Sequence, residues 1–539
     1  MLAALGLSVT PPATARADSS AGGDLQVAQT LGDRDLTFML RRVTGLPGPL
    51  RVDVITHRGT PAGTLRLSTV PTGVSREASA GASAGTVTSG ASVRLGDEAG
   101  SYGVTLEIGR AGPWELLVDD GSRTARIPFV VPGQSTSPTE QAVFAGFVTA
   151  GALMLVTLVV AVRARRGGWV LLPASGVVAG LATAVTAALL SASLPAPPEP
   201  GREVDATVDN VTHPYAVVRP VTNEHSRPPA SLETAAYPAP AGKPGTLRLS
   251  VNDGSTGLAA DDLVVHDGAL MHLLVIGPTG ELWHVHPIRT APGTYEVQLR
   301  LPVAGHYALS AEIARRGGGI QHVRSAPGLT VIADTSDGGA TDRPAAPVAR
   351  GPGTCTVDGV PVRLTASPLT AGSPSTLTAR IGDTPTLQPW LGMVGHMIVV
   401  GPLGEADATG EDRMGRAAQT APVWAHAHSM GGHDTGGHAP DGHGGGGHKT
   451  GEGPGEATGE PAGDGRGGED LPAHSMSGLM PLNGDSPADE TVAAYGPDVS
   501  FVYSFSRPGH YRVWIQAERD STVLTIPYLL KVAPAEETR

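Results

Sequence analysis

Hydrophobic and polar residues alternate in short runs along most of the chain. Within residues 24–133, such runs lie at 36–40 and 50–55 and are separated by Gly, Pro and Ser. This pattern is typical of half-buried strands joined by turns, and it recurs over residues 244–333 and 355–533. We therefore predict a mainly β fold with three β-sandwich domains of the immunoglobulin or cupredoxin type.

Two apolar stretches interrupt this pattern. Residues 141–162 and 169–194 contain no charged side chain, and each is long enough for a helix that crosses a hydrocarbon core of about 30 Å. The loop between them carries Arg163, Arg165 and Arg166, which the positive-inside rule places in the cytoplasm. We expect a two-helix transmembrane hairpin in the cell membrane, with both termini outside the cytoplasm. The alternative is a pair of buried helices in a soluble protein. Because neither span holds an ionisable residue, the hairpin is predicted to be an anchor rather than a transporter.

The remaining segments have the composition of targeting and linker sequences. Residues 1–17 combine an apolar run with a final Ala-Arg-Ala, which is the pattern of a signal peptide; the alternative is a disordered N-terminus. Residues 195–243 are rich in Pro and polar residues and are predicted to be a spacer. Residues 334–354 are predicted to be a second linker, and residues 404–496 a disordered Gly- and His-rich insertion in the third sandwich.

Charge, cysteine usage and motif content exclude several classes of protein. The net charge of -13 argues against a nucleic-acid partner, because phosphate binding requires clustered Lys and Arg. The single cysteine, Cys355, excludes an internal disulfide, a Cys-based zinc finger and an iron–sulfur cluster. The sequence also lacks a Gly-x-Ser-x-Gly elbow, a phosphate-binding loop and a His-Glu-x-x-His motif. We therefore predict that the protein is not an enzyme.

Histidines recur at matching places in the second and third sandwiches. The aligned segments are residues 271–278 with 395–402, 283–286 with 424–428, and 305–307 with 509–511. The first sandwich has similar closing strands but carries Pro113 where the others carry His306 and His510. The scaffold therefore does not require these histidines, which favours a functional role for them.

The turn between two strands of the second sandwich sets the direction of three histidines. Residues 277–280 read Gly-Pro-Thr-Gly, which suits a type I turn closed by a left-handed Gly, with a three-residue loop. That loop places His272 opposite His286, with His284 on the same face of the sheet. A two-residue loop would instead move His272 to the other face.

Three adjacent imidazoles suit copper(II) or zinc, and thioether sulfur would shift the preference to copper(I). We therefore predict one metal site in each of the two sandwiches. The candidate ligands are Met271, His272, His284, His286 and His306 in the second sandwich, and His396, Met397, His426, His428 and Met430 in the third. The alternatives are histidines exposed on strands or in turns, and methionines that only fill the core.

A histidine tract follows His428 at intervals of five residues. Its members lie among Gly and Asp and are His433, His438, His443 and His448. Such a segment cannot bury a core, and His-rich tracts bind copper, zinc and nickel loosely. We predict a metal-capture segment, with a low-complexity expansion of no function as the alternative.

The segment 271–287, its repeat in the third sandwich and the closing run at 508–516 resemble the YtkA-like family of extracytoplasmic sandwich domains. The most specific motif is His284-Val-His286-Pro287, whereas His428 in the third sandwich is followed by Ser. The resemblance covers residues 244–333 and 355–533 and, more faintly, 24–133. Members occur in actinobacterial membrane proteins and near copper-handling genes, so the resemblance implies a sandwich fold and a role in copper handling.

The sequence thus predicts a membrane-anchored extracytoplasmic metal-binding protein. It would capture or buffer copper, with zinc or nickel as alternatives, or hand it to a copper-transporting or copper-requiring membrane protein. The competing hypothesis is a structural or adhesive cell-surface protein whose sandwiches bind another protein. The first sandwich keeps the scaffold without the matching histidines, which favours the metal hypothesis.

Overall fold

The computed structural model describes residues 24–41, 43, 45–71, 89–131, 137–191, 228–316, 319–335, 348–409, 413–429 and 494–535. Three predicted features lie outside these residues: the signal peptide at 1–17, most of the spacer at 195–243, and the histidine tract with Met430.

The first sandwich consists of two four-stranded antiparallel sheets. Its strands are β1 (Leu25–Leu31), β2 (Arg34–Leu40), β3 (Gly48–Thr56), β4 (Gly63–Pro71), β5 (Gly90–Leu95), β6 (Gly100–Ile108), β7 (Gly112–Asp119) and β8 (Thr124–Val131). The sheet orders are β1-β2-β3-β6 and β5-β4-β7-β8. Alternate residues point inward, as in β8, and Val52, Leu67 and Trp114 meet in one core between the sheets.

The second sandwich begins earlier than the sequence predicted. Its strands are β9 (Ala230–Thr234), β10 (Pro244–Asp253), β11 (Leu263–Val264), β12 (His272–Ile276), β13 (Leu282–Val285), β14 (Ile288–Ala291), β15 (Thr294–Arg300), β16 (Gly305–Arg315), β17 (Gly319–Arg324) and β18 (Leu329–Val331). β9 lies in the predicted spacer at 195–243 but pairs with β10. Tyr237 then enters the core, and its hydroxyl donates to the carbonyl oxygen of Leu299 at 2.7 Å.

In the third sandwich, part of the segment 404–496, which the sequence predicts to be a disordered insertion, forms two short helices and a strand. The strands of this sandwich are β19 (Gly353–Val357), β20 (Val360–Ala366), β21 (Pro374–Ile381), β22 (Leu387–Gln388), β23 (Gly395–Leu403), β24 (Val423–Ser429), β25 (Asp498–Ser504), β26 (Gly509–Arg519) and β27 (Thr522–Val532). Two short helices, α3 (Glu405–Thr409) and α4 (Met414–Thr420), precede β24. α4 is held in place because Met414 and Ala418 are buried against the second sandwich.

Two long apolar helices lie between the first and second sandwiches in sequence. They are α1 (Pro138–Arg163) and α2 (Leu171–Ser191), with a 3-10 turn at Gly167–Val170 before α2. Both are long and apolar enough to cross a membrane. They pack antiparallel at Gly146, where an added Cβ would lie 2.6 Å from the carbonyl oxygen of Gly180. The mainly β fold and the two apolar helices predicted from sequence are confirmed.

The second and third sandwiches pack directly against each other through β12 and β23. Leu273 and Val275 face the core of their own sandwich, whereas Leu274 and Ile276 face the third sandwich. There they join a separate apolar cluster that includes Trp514 of β26. Each of these strands is therefore buried on both faces, and residues at the ends of their outer faces meet across the interface.

Candidate metal centre

The turn between β12 and β13 has the geometry that the sequence predicted. The Gly277 N–H donates to the carbonyl oxygen of Glu281 at 2.9 Å, and Gly280 has a φ of +92°. Leu274 pairs with His284 in this register, which puts all three histidines of the hairpin on one face. Their ring centroids lie 5.1 to 5.4 Å apart in the three pairs of His272, His284 and His286.

The third sandwich repeats this arrangement. His396 on β23 lies opposite His428 on β24, and His426 lies opposite Ile398. The His396 ring is 5.3 Å from His426 and 5.1 Å from His428, and the last two rings are 4.4 Å apart. β24 is thus placed by ordinary strand pairing, even though the Gly- and His-rich tract begins directly after it.

The two triads form one cluster instead of two separate sites. The His284 ring lies 4.9 Å from His426 and 5.5 Å from His396, and the His272 ring lies 5.4 Å from His426. The sequence pattern predicts one site per sandwich, because turns and repeats report on each sandwich separately. The packing of β12 against β23 brings the two faces together, and we call the six residues the histidine centre.

Backbone carbonyls fix the proton positions of two central rings. His272 Nε2 donates to the carbonyl oxygen of His266, and His396 Nε2 donates to that of Trp390, each at 3.1 Å. A carbonyl oxygen can only accept a hydrogen bond. In the neutral form, the lone pair of each of these rings is therefore on Nδ1.

Side chains from the opposite sandwich fix the other two central rings. His426 Nδ1 donates to Glu312 Oε2 at 3.1 Å, and His284 Nδ1 donates to Gln516 Oε1 at 3.0 Å. Gln516 Nε2 in turn donates to Thr525 Oγ1 at 2.8 Å, which orients the amide. The lone pairs of His284 and His426 are consequently on Nε2.

These assignments make lone pairs converge in two places. His272 Nδ1 lies 3.1 Å from His284 Nε2, and His396 Nδ1 lies 3.1 Å from His426 Nε2. Neither pair has a proton to share when the rings are neutral. Metal–nitrogen bonds of about 2.0–2.1 Å place two ligands of one ion roughly 2.9–3.4 Å apart. The observed separations therefore fit two ligands of a common metal ion.

Burial keeps the rings in the neutral form that binds metal. Desolvation, followed by the charges of neighbouring histidines, holds the pKa of His286 and His426 well below the usual value. The pKa of His284 and His396 is lowered in the same way. His286 Nε2 is buried and has no hydrogen-bond partner among the described residues.

The ligand atoms form two overlapping groups. In each of them, the three candidate atoms lie within 4.8 Å of one another. The groups are His272, His284 and His426, and His396, His426 and His428. The first group takes ligands from both sandwiches, whereas the second lies wholly on the third, so the complete centre of six histidines exists only when both sandwiches are docked.

Three predicted ligands lie elsewhere. His306 is at the far end of β16, about 20 Å along the strand from Glu312, the residue paired with His272. It contacts Gln419 of the third sandwich, and burial lowers its pKa. Met271 and Met397 are also not in the centre, because strand alternation turns them into the cores of their sandwiches.

The first sandwich covers one side of the histidine centre, a role that the sequence analysis did not predict. The Thr30 N–H donates to the carbonyl oxygen of His286 at 2.8 Å, and the His286 N–H donates to Thr30 Oγ1 at 3.0 Å. Ala28 packs with Trp390, whose ring borders the centre. No pattern in β1 distinguishes it from any other half-buried strand.

Comparisons with known proteins do not identify the chain. No protein-family model matches it, and no curated protein is similar to it. Among solved structures, the Escherichia coli adhesin FdeC aligns at 11% identity over 95% of this chain and 99% of that one, with a TM-score of 0.13. The Yersinia pseudotuberculosis adhesin InvE aligns at 11% over 65% and 68%, with a TM-score of 0.15. A protein described as membrane-anchored, from Corynebacterium diphtheriae, aligns at 7% over 94% and 93%, with a TM-score of 0.14. TM-scores this low carry no argument about function.

Proposed function

We propose that this protein is a membrane-anchored, extracytoplasmic protein that binds a divalent transition metal in the histidine centre. The observation that carries the proposal is the 3.1 Å approach of lone-pair nitrogens in two places, between His272 and His284 and between His396 and His426. Two lone pairs that face each other without a proton repel, and a bound cation would turn this repulsion into attraction.

The donor set favours copper(II) or zinc over copper(I). The two ligand groups of the histidine centre consist of imidazole nitrogens, and the two predicted thioether ligands, Met271 and Met397, lie in the cores. Imidazole suits zinc and copper(II), whereas copper(I) prefers sulfur. Nickel(II) is a further imidazole-binding ion that the same titration would include.

Burial of the centre favours capture and retention over rapid exchange. His272 and His396 are 1% and 0% exposed, and the first sandwich covers one side. Metal sites closed in this way are typical of structural or storage sites, whereas catalytic sites keep an open position. Transfer of copper to a membrane partner would then require the sandwiches to separate.

The proposal is tested by metal titration of the full chain in detergent. The background is a tract variant in which four histidines are replaced by Asn, namely His433, His438, His443 and His448. Cu2+, Zn2+ and Ni2+ are titrated against competing chelators, with His284→Ala plus His396→Ala as the test variant. That double variant should bind the preferred ion more than about 100-fold more weakly, because it removes one nitrogen from each converging pair.

The matched control is His306→Ala plus His510→Ala, which removes two repeat histidines from outside the centre. It should bind as tightly as the tract variant. Equal affinity in the test variant, or equal loss in the control, would exclude the histidine centre as the metal site.

A structural or adhesive surface protein is the second candidate. The firm docking of three sandwiches through apolar clusters would serve that role without a metal. In that case the histidine centre would bind Cu2+ and Zn2+ no more tightly than an unstructured histidine peptide does.

A further inference from the structure

A third group of metal-binding side chains borders the histidine centre. His266, Asp267 and Glu312 bring three candidate ligand atoms within 4.8 Å of one another. His266 Nε2 lies 2.9 Å from Asp267 Oδ2 and 3.7 Å from Glu312 Oε1. We call this group the carboxylate flank.

The third sandwich provides an internal control for the carboxylate flank. His272 is hydrogen-bonded to the backbone of His266 and paired with Glu312. His396 makes the matching contacts with Trp390 and Gln516. The residues after His266 and Trp390 are Asp267 and Leu391, and both have a positive φ, 47° and 56°. The same backbone thus carries Trp, Leu and Gln in one sandwich and His, Asp and Glu in the other, so the fold does not require the carboxylates.

The two carboxylates are buried without a fixed positive charge. The Asp267 and Glu312 side chains are 5% and 4% exposed. Within the described part of the chain, their ion-pair partners are all histidines: His266, His322, His426 and His428. A histidine cancels the charge of a carboxylate only while it is protonated, and buried carboxylates are usually paired with a cation or coordinate a metal.

The flank is also more exposed than the matching place in the third sandwich. The His266 and His322 side chains are 21% and 42% exposed, whereas Trp390, at the matching place in the third sandwich, is 7% exposed. A hydrated cation could therefore reach the flank without separating the sandwiches.

We propose that His266, Asp267 and Glu312 form a second metal subsite, of mixed carboxylate and imidazole chemistry, for a hard or borderline divalent cation such as Mn2+. The ion would replace the proton that His266 Nε2 donates to Asp267, and that proton would move to Nδ1 of the same ring. Glu312 connects the two sites, because Oε2 accepts from His426 while Oε1 faces His266. Carboxylates favour Mn2+ more than an all-imidazole set does, so the two sites differ in their preferred ion.

The test is Mn2+ binding to the full-length tract variant in detergent, followed by the electron paramagnetic resonance signal of free Mn2+. The test variants are Asp267→Asn and Glu312→Gln. The first tolerates the positive φ, and the second keeps an acceptor for His426, as Gln516 does for His284. The tract variant should bind one equivalent of Mn2+, and each substitution should weaken binding at least tenfold. His266→Gln, at a partly exposed position, is a third variant that should give the same loss without disturbing the core.

Two controls separate this proposal from the histidine centre. Glu518→Gln removes a buried carboxylate that pairs with His57 outside the flank, and it should leave Mn2+ affinity unchanged. His284→Ala plus His396→Ala should also keep Mn2+ binding, whatever it does to copper or zinc. Unchanged Mn2+ affinity in the three flank variants, or loss of Mn2+ in the double histidine variant, would overturn the second subsite. Loss of copper and zinc binding alone would bear only on the histidine centre.

Discussion

At the scale of single residues, the two halves of the histidine centre are oriented by side chains that differ in charge. His426 donates to the Glu312 carboxylate, whereas His284 donates to the Gln516 amide. A carboxylate behind an imidazole raises its basicity as a metal ligand more than a neutral amide does. The nitrogen pair that contains His426 is therefore expected to bind its ion more tightly.

Gln516→Leu is expected to weaken metal binding by about 10–100-fold, the usual effect of losing a group that orients a ligand. The substitution removes the acceptor for His284 Nδ1 and frees the ring to rotate. The measurement is zinc affinity of the tract variant in chelator competition. Gln419→Leu is the matched control, because Gln419 donates across the same interface to Ser325 at 2.7 Å but outside the centre. Zinc affinity that is unchanged by Gln516→Leu would contradict the role of the amide.

Sequence could predict the histidines of the centre but not their orienting partners. The histidines recur close to turn residues, and the turn sets the strand register, so nearby residues are enough to predict which face the histidines occupy. Glu312 and Gln516 lie 114 and 232 residues from the rings they orient, and each bond crosses between sandwiches. No local pattern encodes such a contact. The same limit applies to His306, which follows a similar repeat but lies at the far end of β16.

At the scale of elements, the β12–β13 turn decides which face the histidines occupy. The register could be predicted because it depends on the four residues Gly277–Gly280, whose conformational preferences are strong. The burial of β12 on both faces was also visible, since residues 272–276 contain four consecutive apolar residues after the histidine. Such a run is typical of a strand covered on both sides. It therefore indicates that the outer face of β12 docks against another part of the protein.

Gly280→Ala is expected to destabilise the protein by about 1–2 kcal/mol, because an L-residue resists the left-handed conformation. The new Cβ would also lie 2.5 Å from Arg512 Nη2, so either this side chain or the turn must shift, and a shift of the turn would carry the histidines with it. Zinc affinity and denaturant unfolding should therefore both decrease.

Gly59→Ala is the matched control for this turn. Gly59 has a φ of +86°, and its added Cβ would meet nothing within 4 Å. It should lose similar stability while keeping the zinc affinity of the parent. If both substitutions changed zinc affinity equally, the turn would have no specific role in placing the ligands.

At the scale of the whole molecule, the first sandwich is part of the same docked unit as the other two. Ile288 of the second sandwich is buried in the core of the first, and Arg289 donates to Glu115 at 2.8 Å. His57 Nδ1 lies 2.8 Å from Glu518 Oε1 of the third. Sequence predicted three separate sandwiches, since periodicity reports which residues are buried but not which domain covers them.

The contact between His57 and Glu518 predicts a pH dependence with a defined sign. Burial alone would lower the pKa of His57, but the hydrogen bond and charge of Glu518, with the charge of Asp35, outweigh it and raise the pKa. A group whose pKa is higher in the folded state stabilises that state below its unfolded pKa of about 6.5. This contribution is lost as the pH rises through the folded pKa.

The rings of the histidine centre change the stability with pH in the opposite direction. Burial lowers the pKa of rings such as His284 and His426, and acid must therefore destabilise the metal-free fold below about pH 6.5. His57→Gln tests the contact, since both proteins share the six rings of the centre and the charge of His57 is the smallest cause of the lowered pKa of His286. With chelator present, the difference in unfolding free energy between parent and variant should be largest near pH 5.5 and smallest near pH 9. A difference that is constant with pH would mean that His57 holds the sandwiches together through packing alone, without the ion pair.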